Sequence, residues 1–382
     1  MIDTALKQAK AALHKAAPNP AVGCVLVSDN GKIIAQGHTQ AVGGAHAEVM
    51  ALRDAAAQGE STVGATAYVT LEPCSHFGRT PPCCNALIEA KVAKVVIARL
   101  DPNPLVAGKG VELLQTAGIE VEVLPVDHPH AVAARELNIG FFSRMVRKMP
   151  WVRVKIAASL DGKTALGTLG QGQSQWITSS AARDDGHVWR ARAGAILTGV
   201  GTVLADDPRL DVRAVPTQRQ PYVVIVDSEL RTPITAKFFT IKNIAVQAIN
   251  TPAIGIFIYT NSHNSVKKTV LEQCGATVIV LPDSDSSGKV NLRLMMQDLA
   301  KREINEVHVE AGATLNGALI EAGLVDEFLI YLAPKLLGAG RGMADFAPLA
   351  DLTHAMPLDF ISVDKVGPDV RFLARVTGHD AL

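Results

Sequence analysis

Short runs rich in Val and Ile recur along this chain with amphipathic stretches between them, and that alternation restricts the fold to sheets covered by helices. Residues 1–15 have the apolar spacing of a helix. AVGCVLV (21–27) and KIIAQG (32–37) flank a turn-rich SDNG and predict a hairpin. Helix is expected from His46 to about Ala57, strand at ATAYVTLE (65–72) and helix at CCNALIEAK (83–91), entered through Pro81-Pro82. Strand follows at KVVIARL (94–100), helix from Gly110 to Ala117 and strand at IEVEVL (119–124). The segment RMVRKMPW (144–151) breaks the series, because it is basic and Pro150 interrupts a helix. A second α/β series comes after it. Its strands are expected at WVRVKIAAS, GAILTG, PYVVIVD, AIGIFIYT, ATVIVLP, EVHVE and DEFLIYLAP, with helices at SSAARDDGHVWRARA and VNLRLMMQDLAKR. TPITAKFFTIKNIAVQ and DSDSSGK read as longer surface loops. The expectation is an α/β protein of two unlike domains, 1–147 and 148–382.

Composition excludes several function classes. Basic and acidic residues balance at 37 each and aromatics are only 4%, which argues against a surface that grips or stacks on nucleic acid. Five cysteines in a chain of this length make no disulfide framework. The N-terminus MIDTALKQAKAALHK lacks the apolar core of a signal peptide, and no apolar run approaches the roughly 20 residues that span a bilayer. A soluble cytoplasmic protein with no nucleic-acid or membrane partner is expected.

The sharpest local feature is His46-Ala47-Glu48, followed by Pro73-Cys74 and then Cys83. One imidazole and two thiolates give zinc three protein ligands and leave a fourth position for water, whose proton the ion loosens. Positions 46 and 48 lie about 200° apart around a helix, so both serve one site only at the helix N-terminus. Gly43-Gly44 places a helix start there, and Cys83 opens a second helix whose positive end stabilises a thiolate. Glu48 would then stand beside the water and carry its proton to a leaving amine. The competing reading is a closed structural zinc site, with Cys84 or His76 as the fourth ligand. Cys84 points about 100° away from Cys83 along a helix and is expected to pack. Cys24 and Cys274 are expected in the core.

HAE, PC and a second Cys resemble the cytidine deaminase-like zinc deaminases, although their usual PCxxC is here stretched to PCSHFGRTPPC. With LEPCSHFGRTPPC and DPNPLVAGKG, and past the break KIAASLDGKTA, SQWIT, GVGTVLADDPRL and VEAGATLNGAL, the chain resembles the bifunctional riboflavin-biosynthesis deaminase/reductases over essentially its whole length. The resemblance implies a cytidine deaminase-like α/β/α zinc domain followed by a dihydrofolate reductase-like α/β domain. It implies hydrolytic deamination of a ribosylaminopyrimidine 5′-phosphate, then reduction of its ribose to a ribityl chain by NADPH. His46, Cys74 and Cys83 would hold Zn2+, with Glu48 as proton shuttle. Asn19 and His38 match positions that hold the pyrimidine or its sugar, and Arg79 and Asn103 match positions near the phosphate. Asn19 and Asn103 both precede proline, so turn formation explains them equally well. Arg79 also reads as a solvated loop charge.

In the second half, EVHVE followed by Ala311-Gly312-Ala313-Thr314-Leu315 has the form of a strand delivering backbone N–H groups at a helix start, where phosphates bind. No GxGxxG is present, and the glycine turn alone is common in α/β loops. By the resemblance, Ala158, Trp176, Thr202, Asp206, Ser228 and Gly312 to Leu315 match cofactor positions. Ser174, Arg190, Leu210, Arg213 and Glu310 match substrate positions. Trp176 also reads as a core anchor, and each Arg as a surface ion pair. Arg190 and Arg213 suit a phosphate clamp. Lys155, in an apolar strand, is either an edge-strand charge or a substrate contact. Lys155 and Asp206 are expected to handle the proton that accompanies hydride transfer. The other readings are a nucleoside or tRNA deaminase with an accessory domain, and a zinc-stabilised binding module. A homo-oligomer is expected from apolar composition and the resemblance.

Overall fold

The computed structural model describes residues 1–76, 81–104, 106–166, 176–240, 255–283 and 288–382. They form two compact units, Met1–Arg147 and Lys148–Leu382.

In the first unit, α1 (Ile2–Ala12) buries Ile2, Ala5, Leu6, Ala9 and Ala12, one stripe of a helix surface. β1 (Gly23–Val27) and β2 (Ile33–His38) form the expected hairpin. Five strands run in the order β2-β1-β3-β4-β5, with β3 (Thr66–Val69), β4 (Lys94–Ile97) and β5 (Glu120–Val123) mutually parallel and β1 antiparallel to both neighbours. The crossovers are α3 (Cys83–Glu89) and α4 (Lys109–Thr116), while α2 (Ala47–Gln58) returns from β2. Gly37 is required on β2, because a Cβ there would lie 2.3–2.4 Å from the backbone of Ala47 and Ala51. Helix and strand therefore touch at the start of α2, one residue from His38. Two further helices, α5 (Pro129–Leu137) and α6 (Ile139–Arg147), were not expected. Residues 129–135, PHAVAAR, are mostly small and carry no strong apolar stripe, so tertiary packing of Ala131 and Ala134 decides there.

In the second unit nine strands run β11-β10-β9-β8-β12-β6-β13-β16-β15. From β11 (Ala276–Val280) through β10 (Ile256–Thr260), β9 (Tyr222–Val226), β8 (Ala195–Gly199), β12 (Glu306–Val309) and β6 (Trp151–Ser159) to β13 (Glu327–Ala333) the pairing is parallel. β16 (Asp369–Val376) and β15 (Leu358–Val366) complete the sheet as an antiparallel hairpin. That hairpin was not expected; its outer strand alternates little and is mostly exposed. Short β7 (Ala165–Leu166) pairs with β14 (Gly340–Arg341). α7 (Ser180–Arg192), α8 (Val200–Asp206), α9 (Ser265–Gln273), α10 (Leu292–Lys301) and α11 (Ala313–Glu321) connect the strands. Val152, Val154, Leu197, Val307, Val309, Met295 and Leu299 centre the larger core. One expectation is corrected: in TPITAKFFTIKNIAVQ, Ala236, Phe238 and Phe239 are buried in a second core with Ile196 and Ile225 instead of lying at the surface. The remainder of that stretch, from 241, lies outside the described residues.

Candidate active sites

His46 occupies the N-cap of α2, Cys83 is the first residue of α3, and Cys74 sits in the turn after β3. Two helix starts thus aim at one point. The three ligand atoms lie within 4.8 Å of one another. His46 Nδ1 is 3.3 Å from Cys83 Sγ and 3.7 Å from Cys74 Sγ, and the Cys83 backbone N–H donates to Cys74 Sγ at 3.3 Å. The Cys83 thiol donates to Cys74, which with the His46 hydrogen bond holds the Cys74 thiol down near 4; Cys83, as the donor, is pushed upward. A cation between them replaces both protons. One nitrogen and two soft sulfurs, converging with no fourth His, Cys, Asp or Glu among the described residues, fit zinc with an open position. Cys84 does not compete: it is buried and its S–H points to the carbonyls of Pro73 (3.3 Å) and Gly110 (3.6 Å). His76 is not in the cluster.

Glu48 lies in the first turn of α2 and is 4% exposed. Burial pushes its carboxyl up to about 6, with the negative charge of Cys74 adding and His46 opposing. A carboxyl that changes protonation near neutrality suits a proton carrier.

His38 ends β2. Its Nε2 is 2.7 Å from Lys15 Nζ, and its Nδ1 is 3.2 Å from Gln8 Oε1. An ammonium can only donate, so Nε2 accepts and Nδ1 carries the hydrogen. Burial, then Lys15, lowers the imidazole's pKa and keeps it neutral. Lys15 escaped the sequence reading, since a lysine just beyond an amphipathic helix gives no signal of its own. Asn19 and Asn103 both take part in turns: Asn19 N–H donates to Ala16 O, and Asn103 N–H donates to Asp101 Oδ1 at 2.8 Å. Arg79 and Ser174 lie outside the described residues.

In the second unit, consecutive connections leave β8 and β12 in opposite directions across the sheet, to β9 on one side and to β13 on the other. Such a divergence opens a crevice at the carboxyl ends of the strands. The turns that line it lie side by side. Gly312 caps α11, and a Cβ on it would be 4.0 Å from Thr202 Oγ1; a Cβ on Gly199 would meet Leu315 at 3.4 Å. Thr198 Oγ1 donates to Glu310 O at 2.7 Å and locks the two turns together. The structure therefore joins Thr202, Gly312, Ala313, Thr314 and Leu315, with Asp206 closing α8. Ser228 follows β9, and its carbonyl accepts from Thr260 Oγ1. Ala158 is fully buried in the larger core. Trp176 is not a core anchor: it is 63% exposed, with the Arg183 guanidinium 4.5 Å from its ring centre.

A second group gathers beside this crevice. Arg190 Nε and Nη2 bind Glu310 at 2.5 and 2.7 Å, and Nη1 donates to Asp211 O at 3.0 Å. Arg213 binds Asp211 Oδ1 at 2.7 Å, and its N–H donates weakly to His187 Nδ1. Leu210, buried with φ 51°, turns the chain into this group. Lys155 stands on β6 next to the position that pairs with Val309, so it neighbours Glu310. Burial lowers the Lys155 pKa, Glu310 raises it and Arg190 opposes. The two arginines are thus not an open clamp; each is held by a carboxylate. Asp211 and His187 were missed, though Asp211 stands between Arg209 and Arg213 in DPRLDVR.

The family model for the RibD C-terminal domain matches residues 150–372, and that for the cytidine and deoxycytidylate deaminase zinc-binding region matches residues 1–99. The chain is 44% identical over 381 residues to riboflavin biosynthesis protein RibD of Escherichia coli, covering 96% of each, and 40% identical over 353 residues to that of Aquifex aeolicus, covering 92% of this chain and 91% of the other. Among solved structures, RibD of Acinetobacter baumannii (form 1) superposes with a TM-score of 0.83 at 40% identity over 98% of both chains. A diaminohydroxyphosphoribosylaminopyrimidine deaminase/5-amino-6-(5-phosphoribosylamino)uracil reductase of Thermotoga maritima superposes with 0.81 at 30% identity, over 98% of this chain and 97% of that one. Two α/β domains, a zinc-binding deaminase region and a reductase region in one polypeptide place the chain in the RibD family of bifunctional riboflavin-biosynthesis deaminase/reductases.

Proposed function

We propose that the first unit deaminates the phosphorylated pyrimidine and that the second reduces its ribose, with the residues above in those roles. The convergence of His46, Cys74 and Cys83 beside buried Glu48 carries the reading. Zinc, held by those three side chains, supplies Lewis acidity that activates water. Glu48 takes a proton from the attacking water and returns it to the departing amino group, so ammonia leaves neutral and the ring keeps oxygen. Neutral His38, with Asn19, orients the pyrimidine, and Asn103 with Arg79 takes the role of binding the phosphate.

In the second unit, NADPH supplies the hydride, and Gly312 to Leu315 with Thr202 offer backbone N–H groups and a hydroxyl to its phosphates. Hydride adds to the ribose carbon of the ring-opened imine while a proton goes to the nitrogen, leaving an amine. Lys155 and Asp206 are the proton-handling residues. Glu310 and Arg190 hold the sugar and phosphate end, with Ser174 and Arg213. The full chain with zinc should release one ammonia per substrate without nicotinamide, and then oxidise one NADPH. Ammonia release that survives complete zinc removal would overturn the first assignment. NADPH oxidation without prior deamination of the diaminopyrimidine would overturn the order.

The protein is further proposed to be a cytoplasmic homo-oligomer. Edge strand β15 supports the association, since Leu358, Phe360, Ile361 and Val363 are exposed along it and a second copy can cover such an edge. Sedimentation equilibrium at micromolar concentration should show more than a monomer, and a monomer alone would refute it.

A further inference from the structure

Glu72 closes the β3 region two residues before Cys74 and is 4% exposed, yet no ion pair to it is found among the described residues. Its two oxygens are instead filled by backbone. Oε2 accepts from Asp101 N at 3.2 Å and Gly108 N at 3.0 Å, and Oε1 from Gly110 N at 2.9 Å and Val111 N at 3.3 Å. Gly110 and Val111 belong to the first turn of α4, whose own N-cap, Gly108, has no side chain to offer. Glu72 thus caps α4 from another element, its side-chain oxygens accepting from N–H groups that the helix start leaves unpaired. The same carboxylate reaches the other end of the loop at Asp101, and Asp101 Oδ1 in turn accepts from Asn103 N.

Two more features weld the same pieces. The Cys84 thiol, next to a zinc ligand, bridges the carbonyls of Pro73 and Gly110. A Cβ on Gly110 would come within 2.2 Å of Pro73 O, so only glycine permits this approach. Asp101, Gly108, Gly110 and Val111 are therefore fixed to the strand end that carries Cys74.

We infer that Glu72 is a positioning residue that sets the distance between the Asn103 loop and the metal centre, and so gives the deaminase its preference for a 5′-phosphorylated substrate. The inference rests on the assignment of Asn103 to the phosphate. The carboxylate's contacts are to backbone N–H groups, so its part is to position the loop. It holds a frame in which the reacting ring and the phosphate are measured against each other.

The test uses the full zinc-loaded chain, with Glu72→Gln and, as a second variant in case the first does not fold, Glu72→Asp, which keeps the carboxylate but shortens its reach. Gln keeps the size but turns an NH2 toward two N–H donors. Ammonia release is measured on the 5′-phosphorylated pyrimidine ribosylamine and on its dephosphorylated form. The expected result is about one zinc per chain, KM for the phosphorylated substrate raised at least tenfold, kcat within threefold, and little change for the dephosphorylated form. An equal loss on both substrates, a loss confined to kcat, or a loss of zinc would make Glu72 a scaffold for Cys74 and overturn the inference. If Asn103→Ala removes the phosphate preference while Glu72→Gln and Glu72→Asp keep it, the inference fails and the Asn103 assignment stands. If the unaltered protein shows no preference for the phosphate, both fail.

Discussion

Glu48 and His46 are two residues apart, and only the N-terminal geometry of α2 lets one cap the helix toward the metal while the other lies buried beside it. The carboxylate is not among the three convergent ligand side chains. Glu48→Gln should therefore keep about one zinc per chain, by elemental analysis, while ammonia release falls by at least about a thousandfold, the order expected for loss of an essential general acid–base. Loss of zinc in that variant would move Glu48 onto the metal. A different titration is built into the second unit. Burial, with Arg190 and Arg213 nearby, pushes His187 down to about 4, and Glu310 and Asp211 oppose. The native state thus favours the neutral ring. The resulting contribution to stability is fully present above the unfolded value of 6.5 and is lost as pH falls toward 4. At about 1.4 kcal/mol per unit the loss is at most about 3 kcal/mol. Denaturation of the protein and of His187→Asn at pH 7 and pH 4.5 checks it: the difference between them should shrink or reverse at the lower pH. An unchanged difference would show that the ring titrates normally.

At the scale of elements, β12 carries charge on one face and core on the other. Glu306 and His308 point away from Val307 and Val309, and Glu306 meets Arg153 and Arg192. Arg153 is 1% exposed and also binds Glu327, which binds Arg375. Trp189 lies under Arg153 at 4.5 Å and Trp151 under Arg375 at 5.1 Å. Glu327→Ala would leave two buried guanidinium groups short of a carboxylate, at about 3 kcal/mol or more. All three tryptophans, Trp151, Trp176 and Trp189, lie in the second unit, so tryptophan fluorescence in urea reports its unfolding. The transition should move to lower urea, and a shift worth under 1 kcal/mol would mean that Glu306 and Asp380 suffice. This network also marks the limit of sequence reading. EVHVE and WVRVK gave no sign of how Glu306 and Arg153 pair, because their partners come from strands and helices far away in sequence. The metal trio was legible because few residue types bind zinc and their spacing is informative. The Gly312 turn was legible as a helix start. Glu72, Lys15 and Asp211 were not, because each acts through contacts that only the fold creates.

At the scale of the molecule, the metal trio and the Gly312 turn belong to different compact units. Among the first unit's described residues, Leu6, Val96 and Ala134 pack in one apolar cluster and Ala5 and Val25 in another. The zinc ligands, Glu48 and Glu72 all lie within Met1–Arg147. The late helices belong to this unit for a specific reason. Asn138, 5% exposed, accepts from Ala21 N at 2.7 Å and donates to Ala21 O at 3.0 Å, so the junction of α5 and α6 holds the segment that leads from Asn19 into β1. Residues 1–147 alone should therefore fold, bind about one zinc and release ammonia without nicotinamide. Residues 1–125, lacking Asn138, should lose activity through disorder near Asn19, with KM rising before kcat falls. Circular dichroism, zinc analysis and the ammonia assay on both fragments decide the matter. A 1–147 fragment that is folded, zinc-loaded and inactive would mean that the deaminase depends on the second unit, and that its site is not complete within the first.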